Sequence, residues 1–107
     1  MNKIIVITGG SRGIGAATAK LAAERGYAVC VNYLQNRTAA DSVVSAIIRS
    51  GGRAIAVAAD VASESDVIRL FETAEKELGP LTALVNNAGI LEQQMKLAPH
   101  MIQSMEI

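Results

Sequence analysis

Aromatic side chains are scarce in this sequence: there is no tryptophan, and only Tyr27, Tyr33 and Phe71 carry rings among 107 residues. The core must therefore be built from Ala, Val, Ile and Leu, and stacking platforms for single-stranded nucleic acid are missing. Net charge is absent too, with ten basic and ten acidic side chains. A general nucleic-acid binder would need a large basic excess. One cysteine, Cys30, excludes an intramolecular disulfide and any cysteine-rich metal site. No apolar run approaches the roughly eighteen residues of a membrane span. The run Ile4-Ile5-Val6-Ile7 is too short for a signal peptide. These absences set the expectation of a soluble protein in a reducing, cytoplasmic setting, with no membrane, metal or nucleic acid to bind.

What is present suits a packed core. Half of the residues are hydrophobic, too many for a disordered polymer, and the length suits one compact domain rather than two. The zero charge conceals an asymmetry. Residues 1–53 hold seven basic side chains against two acidic ones, and residues 54–107 hold three against eight. Two solvated helix surfaces of opposite sign would produce this, and so would a positive field around an anionic ligand held by the first half.

Short apolar runs alternate with helical spacing. Lys3 to Thr8 reads as a strand and runs into the breaker cluster Gly9-Gly10-Ser11-Arg12-Gly13. The spacing of Ile14, Ala17 and Leu21 predicts a helix to Arg25 with those residues as its core stripe, closed by Gly26. Tyr27 to Tyr33 returns to strand. A second helix is predicted from Thr38 to Ser50, with Val43, Val44, Ile47 and Ile48 on one stripe, then a third strand from Ala54 to Ala59. Ser63 is the expected N-cap of a third helix, with Asp66 as its capping-box partner and Val67, Leu70, Phe71, Ala74 and Leu78 turned inward. Leu81 to Val85 is a fourth strand, ending in Asn86-Asn87-Ala88-Gly89. The strands are apolar throughout rather than alternating, so the β-α-β-α-β-α-β order implies a parallel sheet with helices on its faces. From Ile90 to Ile107 the texture changes: three of the four methionines, His100 and Pro99 lie there, with no clear element.

Chemistry concentrates after the first strand. In Thr8-Gly9-Gly10-Ser11-Arg12-Gly13-Ile14-Gly15, glycines permit a sharp turn and close backbone approach. They do so where a helix N-terminus offers unpaired N–H groups and the positive end of its dipole. A nucleotide phosphate suits such a turn. No Gly-Lys-Ser/Thr follows, so this is not a Walker loop, and ATPase and GTPase readings fall away.

Thr8-Gly9-x-x-x-Gly13-x-Gly15, Asp60-Val61 after the third strand and Asn86-Asn87-Ala88-Gly89 after the fourth together resemble the short-chain dehydrogenase/reductase family. The resemblance covers residues 3–91 and is nearest in texture to the branch holding 3-oxoacyl carrier-protein reductases and glucose dehydrogenases. It implies a Rossmann-type three-layer α/β fold with strand order 3-2-1-4, a dinucleotide-binding half-domain over 1–91 and an atypical tail over 92–107. It also implies roles. Gly9, Ser11, Arg12, Gly13, Ile14 and Gly15 match the loop that holds the cofactor's adenosine side and pyrophosphate. Asp60 matches the acid at the adenine amino group and Val61 the residue beside the ring. Asn86, Ala88 and Gly89 match the segment lining the cofactor's ribose, and Thr8 matches the tie between the glycine loop and the asparagine pair. Without the resemblance, Asp60 also reads as a loop acid and Asn86-Asn87 as turn formers.

The choice of cofactor follows from charge. An NAD site usually places a carboxylate at the end of strand two, accepting from the ribose 2′-OH. Here Val31-Asn32-Tyr33-Leu34-Gln35-Asn36-Arg37 contains no acid. Arg12, Arg37 and the neutral donor Asn32 would suit a 2′-phosphate instead, because guanidinium groups pair with phosphate in a fork. NADP(H) is therefore expected over NAD(H). Arg37 keeps a second reading as a solvated residue beside a helix start. Cys30 is expected as an inert core residue and His100 as a tail residue.

The family's proton donor is a tyrosine followed four residues later by lysine, with an orienting serine upstream. Tyr27 has Val31 at that spacing and Tyr33 has Arg37, so no catalytic residue is assigned. Family members are longer, and the expectation is a truncated N-terminal part of an oxidoreductase that moves hydride between carbonyl and alcohol, inactive alone. The alternative is a non-catalytic fragment or assembly module that does not bind nucleotide productively. Either would leave strand four a bare edge and one sheet face partly uncovered, favouring self-association.

Overall fold

The computed structural model describes residues 3–87 and the backbone of residues 103–106. Strands β1 (Lys3–Ile7), β2 (Tyr27–Tyr33), β3 (Ala54–Ala58) and β4 (Ala83–Asn86) alternate with helices α1 (Gly13–Glu24), α2 (Arg37–Arg49) and α3 (Glu64–Leu78). A further strand, β5 (Gln103–Glu106), follows. The sheet order is β3-β2-β1-β4-β5, with the first four strands parallel as expected. Each predicted element is present within two residues of its expected bounds.

Successive strand residues point to opposite faces, and both faces carry helices, two on one side and α3 alone on the other, where Leu84 stays partly buried. Ile5, Ile7, Val29 and Val31 pack with α1 and α2, while Ile4, Val6, Ala28 and Cys30 pack with α3. That is why these strands are apolar without alternation. Among the described residues no helix is long and apolar enough to cross a membrane.

Three expectations are corrected. First, α1 does not bury Ile14 and Leu21, which are 66% and 48% exposed; it buries Gly15, Ala19 and Ala22. Small residues let the helix lie close to the sheet, and at Gly15 a Cβ would collide with the Gly9 carbonyl oxygen and crowd the Asn87 amide. Ile48 of α2 also faces outward, while Ala40, Val43 and Ile47 pack in. Second, the capping box of α3 closes differently. Ser63 Oγ accepts from the Asp66 N–H (3.4 Å) as expected, but the Asp66 carboxylate accepts from the Asp60 N–H (2.8 Å). The Ser63 N–H is already engaged by the Asp60 carbonyl, so the carboxylate reaches one segment further and ties the loop bearing Asp60 to α3.

Third, β4 is not a bare edge. β5 pairs with it antiparallel from Ala83↔Glu106 to Asn86↔Gln103. The strand comes from the segment in which the sequence showed no element. Pairing through backbone groups needs no hydrophobic signature, and Gln103-Ser104-Met105-Glu106 carries none. The edge expected at β4 is thus met within the chain, and the sheet ends at β5 instead.

Candidate functional site

Beyond the carboxyl ends of β1–β4 lie the loops that carry the residues singled out in the sequence. The glycine loop leaves β1 and enters α1 with Gly9 at φ 65° and Gly13 at φ 60°, the left-handed region where a side chain is costly. A Cβ at Gly13 would meet nothing within 4 Å, so the outer side of the turn is open. Arg12 occupies the N-cap position of α1 without a side-chain cap bond, and no acid stands in the first turn. The other helices differ. Asn36 caps α2 by accepting from the Ala39 N–H (3.0 Å), and Ser63 caps α3, whose first turn holds Glu64 and Asp66. Among the described helices only α1 keeps its leading N–H groups and positive end uncapped by a side chain, beside the exposed Arg12. A phosphate fits that donor set.

The loop is held from behind. Thr8 Oγ1 accepts from the Asn87 N–H at 2.8 Å and lies 3.3 Å from the Asn86 side-chain oxygen, to which it donates. Asn87 Nδ2 donates to the Gly9 carbonyl at 3.2 Å. The tie between the glycine loop and the asparagine pair is thus explicit in the geometry. Asn87 was not singled out as a site residue. The signal for it was the demand of two adjacent amides for hydrogen-bond partners, which pointed to the pair without saying which member meets the loop.

Other residues divide by what they touch. Asn32 is 1% exposed and its amide is turned inward, onto Gly9, Val57 and Ala59. The donor expected at the 2′-phosphate is engaged within the protein. Arg37 begins α2 and pairs with Asp41 at 3.6 Å on the exposed helix surface. That pairing offsets an unfavourable position for a cation at a helix start, yet an exposed pair is weak and leaves the guanidinium available. Asp60 is exposed, and one of its carboxylate oxygens accepts from the Ala62 N–H (2.9 Å). Val61 lines a cavity of about 230 Å³ with Thr8, Asn86, Phe71 and Leu84. Ser11 is half-buried in the loop and Ile14 stands exposed on the first turn. Ala88, Gly89 and His100 lie outside the described residues. Cys30 is fully buried, and burial pushes its thiol up to about 12, which makes it a poor nucleophile. Among the described residues there is no group of three His, Cys, Asp or Glu suited to a metal.

A parallel sheet in the order β3-β2-β1-β4, with a glycine turn feeding an uncapped helix after β1, defines the class: a Rossmann-type α/β protein. The sequence model of the short chain dehydrogenase family matches residues 3–106, and the chain belongs to that family. It is 50% identical over 91 residues to the uncharacterized oxidoreductase YgfF of Escherichia coli, covering 85% of this chain and 37% of the relative. It is 47% identical over 95 residues to a 3-oxoacyl-[acyl-carrier-protein] reductase of Synechocystis, covering 89% and 38%. A doubly substituted short-chain dehydrogenase/reductase of Serratia marcescens superposes with a TM-score of 0.80 at 40% identity, over 83% of this chain and 36% of that one. The chain therefore spans a little over a third of the length of these relatives.

Proposed function

We propose that this chain is the NADP(H)-holding part of a short-chain dehydrogenase/reductase acting between carbonyl and alcohol, and that its 107 residues alone turn over no substrate. The observation carrying this reading is the uncapped, acid-free start of α1, set on the glycine turn beside Arg12. In the proposed complex the backbone of Ser11, Gly13, Ile14 and Gly15 receives the pyrophosphate, while Gly9, whose N–H and carbonyl are held by Asn32 and Asn87, shapes the turn behind it. Arg12 pairs with the 2′-phosphate, and Arg37 at the head of α2 adds a second positive charge. Asp60 and Val61 take the adenine edge, and Asn86 with Ala88 and Gly89 the ribose. The absence of an acid between Val31 and Arg37 supports NADP(H) over NAD(H), because a carboxylate there would repel a phosphate.

Bound cofactor supplies or receives a hydride at its nicotinamide ring. Reducing a carbonyl also needs a proton donor, and neither tyrosine has a lysine four residues on, so no residue of this chain is given that role. The similarity to a 3-oxoacyl-[acyl-carrier-protein] reductase favours a carbonyl on an acyl chain as the whole protein's substrate class. The lone buried thiol suits the cytoplasm.

Fluorescence titration with NADPH and NADH tests the reading. NADPH is expected to bind about tenfold or more tightly than NADH, a difference of the size charge-assisted hydrogen bonds supply. Arg12→Ala should abolish the preference, and Arg37→Ala should reduce it less. Equal affinities with no effect of Arg12→Ala would contradict it, as would NADPH oxidation by the purified chain in the presence of a carbonyl substrate.

A further inference from the structure

We infer that Asn32 is a positioning residue for the cofactor, a strut joining the two segments assigned to hold it. The inference rests on the NADP(H) reading above. Asn32 sits near the carboxyl end of β2, is 1% exposed, and is one of two buried polar residues among those described. Its Oδ1 accepts from the Gly9 N–H at 3.1 Å, and its own carbonyl accepts from the Gly10 N–H at 2.9 Å. Its Nδ2 donates to the carbonyls of Val57 (3.2 Å) and Ala59 (3.1 Å). One side chain thus grips the glycine loop on one side and, on the other, the end of β3 immediately before Asp60.

A primary amide suits this place because it carries an acceptor and two donors on one carbon. Turned over, it would set its NH2 against the Gly9 N–H and its oxygen against two carbonyls, so the surroundings fix its sense. Buried as it is, Asn32 touches no ligand. It acts by setting the Gly9 peptide, from which the turn into α1 starts, and the Ala59–Asp60 junction at the proposed adenine edge. The residue expected as a donor to the 2′-phosphate thereby acquires a different role, holding pyrophosphate loop and adenine edge in one register.

The test is NADPH titration of the full chain and three variants. Val43→Ala, a truncation on the buried face of α2 that removes no hydrogen bond to the loop, controls for loss of stability. Asn32→Ala should weaken NADPH binding by about tenfold, as expected for lost buried hydrogen bonds, while Val43→Ala of similar melting temperature stays within about twofold. Asn32→Asp supplies a pH signature. A protonated carboxyl presents one acceptor and one donor in the amide's place, whereas a carboxylate faces two carbonyls, and burial raises such a pKa toward neutrality. Its affinity should approach the parent's at pH 6 and fall at pH 8, relative to the parent at each pH. If Asn32→Ala fails to fold, the pH comparison in Asn32→Asp decides. An Asn32→Ala effect no larger than that of Val43→Ala, or a flat Asn32→Asp profile, overturns the inference alone. A parent chain that binds no NADPH overturns the cofactor reading and the inference with it.

Discussion

Gly15 is the residue at which the loop tolerates least. A Cβ there meets the Gly9 carbonyl oxygen and the Asn87 amide, both of which belong to the network that shapes the turn. Gly15→Ala should cost about 1–3 kcal/mol of stability, the usual range for overpacking, read as a lower urea midpoint. Gly13→Ala meets open space, so its cost should be only that of the left-handed backbone, about 1–2 kcal/mol. Cys30 gives a prediction of another kind. Its thiol is raised by burial from 9.0 to about 12, so the folded state holds the proton more tightly than the unfolded chain. That contribution is complete below pH 9 and is lost as pH climbs toward 12. Stability measured from pH 8 to 11 should fall more steeply in the parent than in Cys30→Ala, and alkylation by iodoacetamide should await unfolding.

Among the elements, the helix starts differ in purpose. Ser63 closes α3 and Asn36 closes α2, so Ser63→Ala should cost about 1 kcal/mol, the common value for a lost cap. At α1 the opposite holds. Arg12→Ser supplies the missing cap and should raise the melting temperature while weakening NADPH binding, a trade between stability and function. The same helix marks where sequence reasoning reached its limit. Ile14, Ala17 and Leu21 have helical spacing, which identified the element correctly but pointed to the wrong face. Gly15, Ala19 and Ala22 win the interior because close approach to the sheet requires small residues there, a packing demand that hydrophobicity does not encode. α3, with bulky Leu70 and Leu78 inside, was legible because size and hydrophobicity agree. Asn32 was legible as important and misassigned in role, since nothing in Val31-Asn32-Tyr33 says to which side of the sheet an amide turns.

At the scale of the whole molecule, the parallel direction of β1–β4 was legible because strands buried on both faces call for helical crossovers, while their order followed from the family resemblance. β5 was not, because four residues paired through backbone leave no pattern. Its effect is to cover the outer edge of β4. Removing residues 103–107 should restore an open edge and drive association, seen as larger species by sedimentation velocity at a concentration where the full chain does not form them. The charge asymmetry of the halves also gains a place. Arg12 and Arg37 stand at the helix starts nearest the proposed phosphate sites, whereas α3 carries Glu64, Asp66, Glu72, Glu75 and Glu77 on the opposite face of the sheet. The central claim is that the turn from β1 into α1 receives the phosphates of NADP(H). Amide chemical-shift mapping on the isotope-labelled chain tests it most directly. Saturating NADPH should shift the amides of Gly9 and of Ser11 to Gly15, and Arg12→Ala should diminish those shifts. Unchanged loop amides under NADPH, or shifts confined to another part of the molecule, would contradict it.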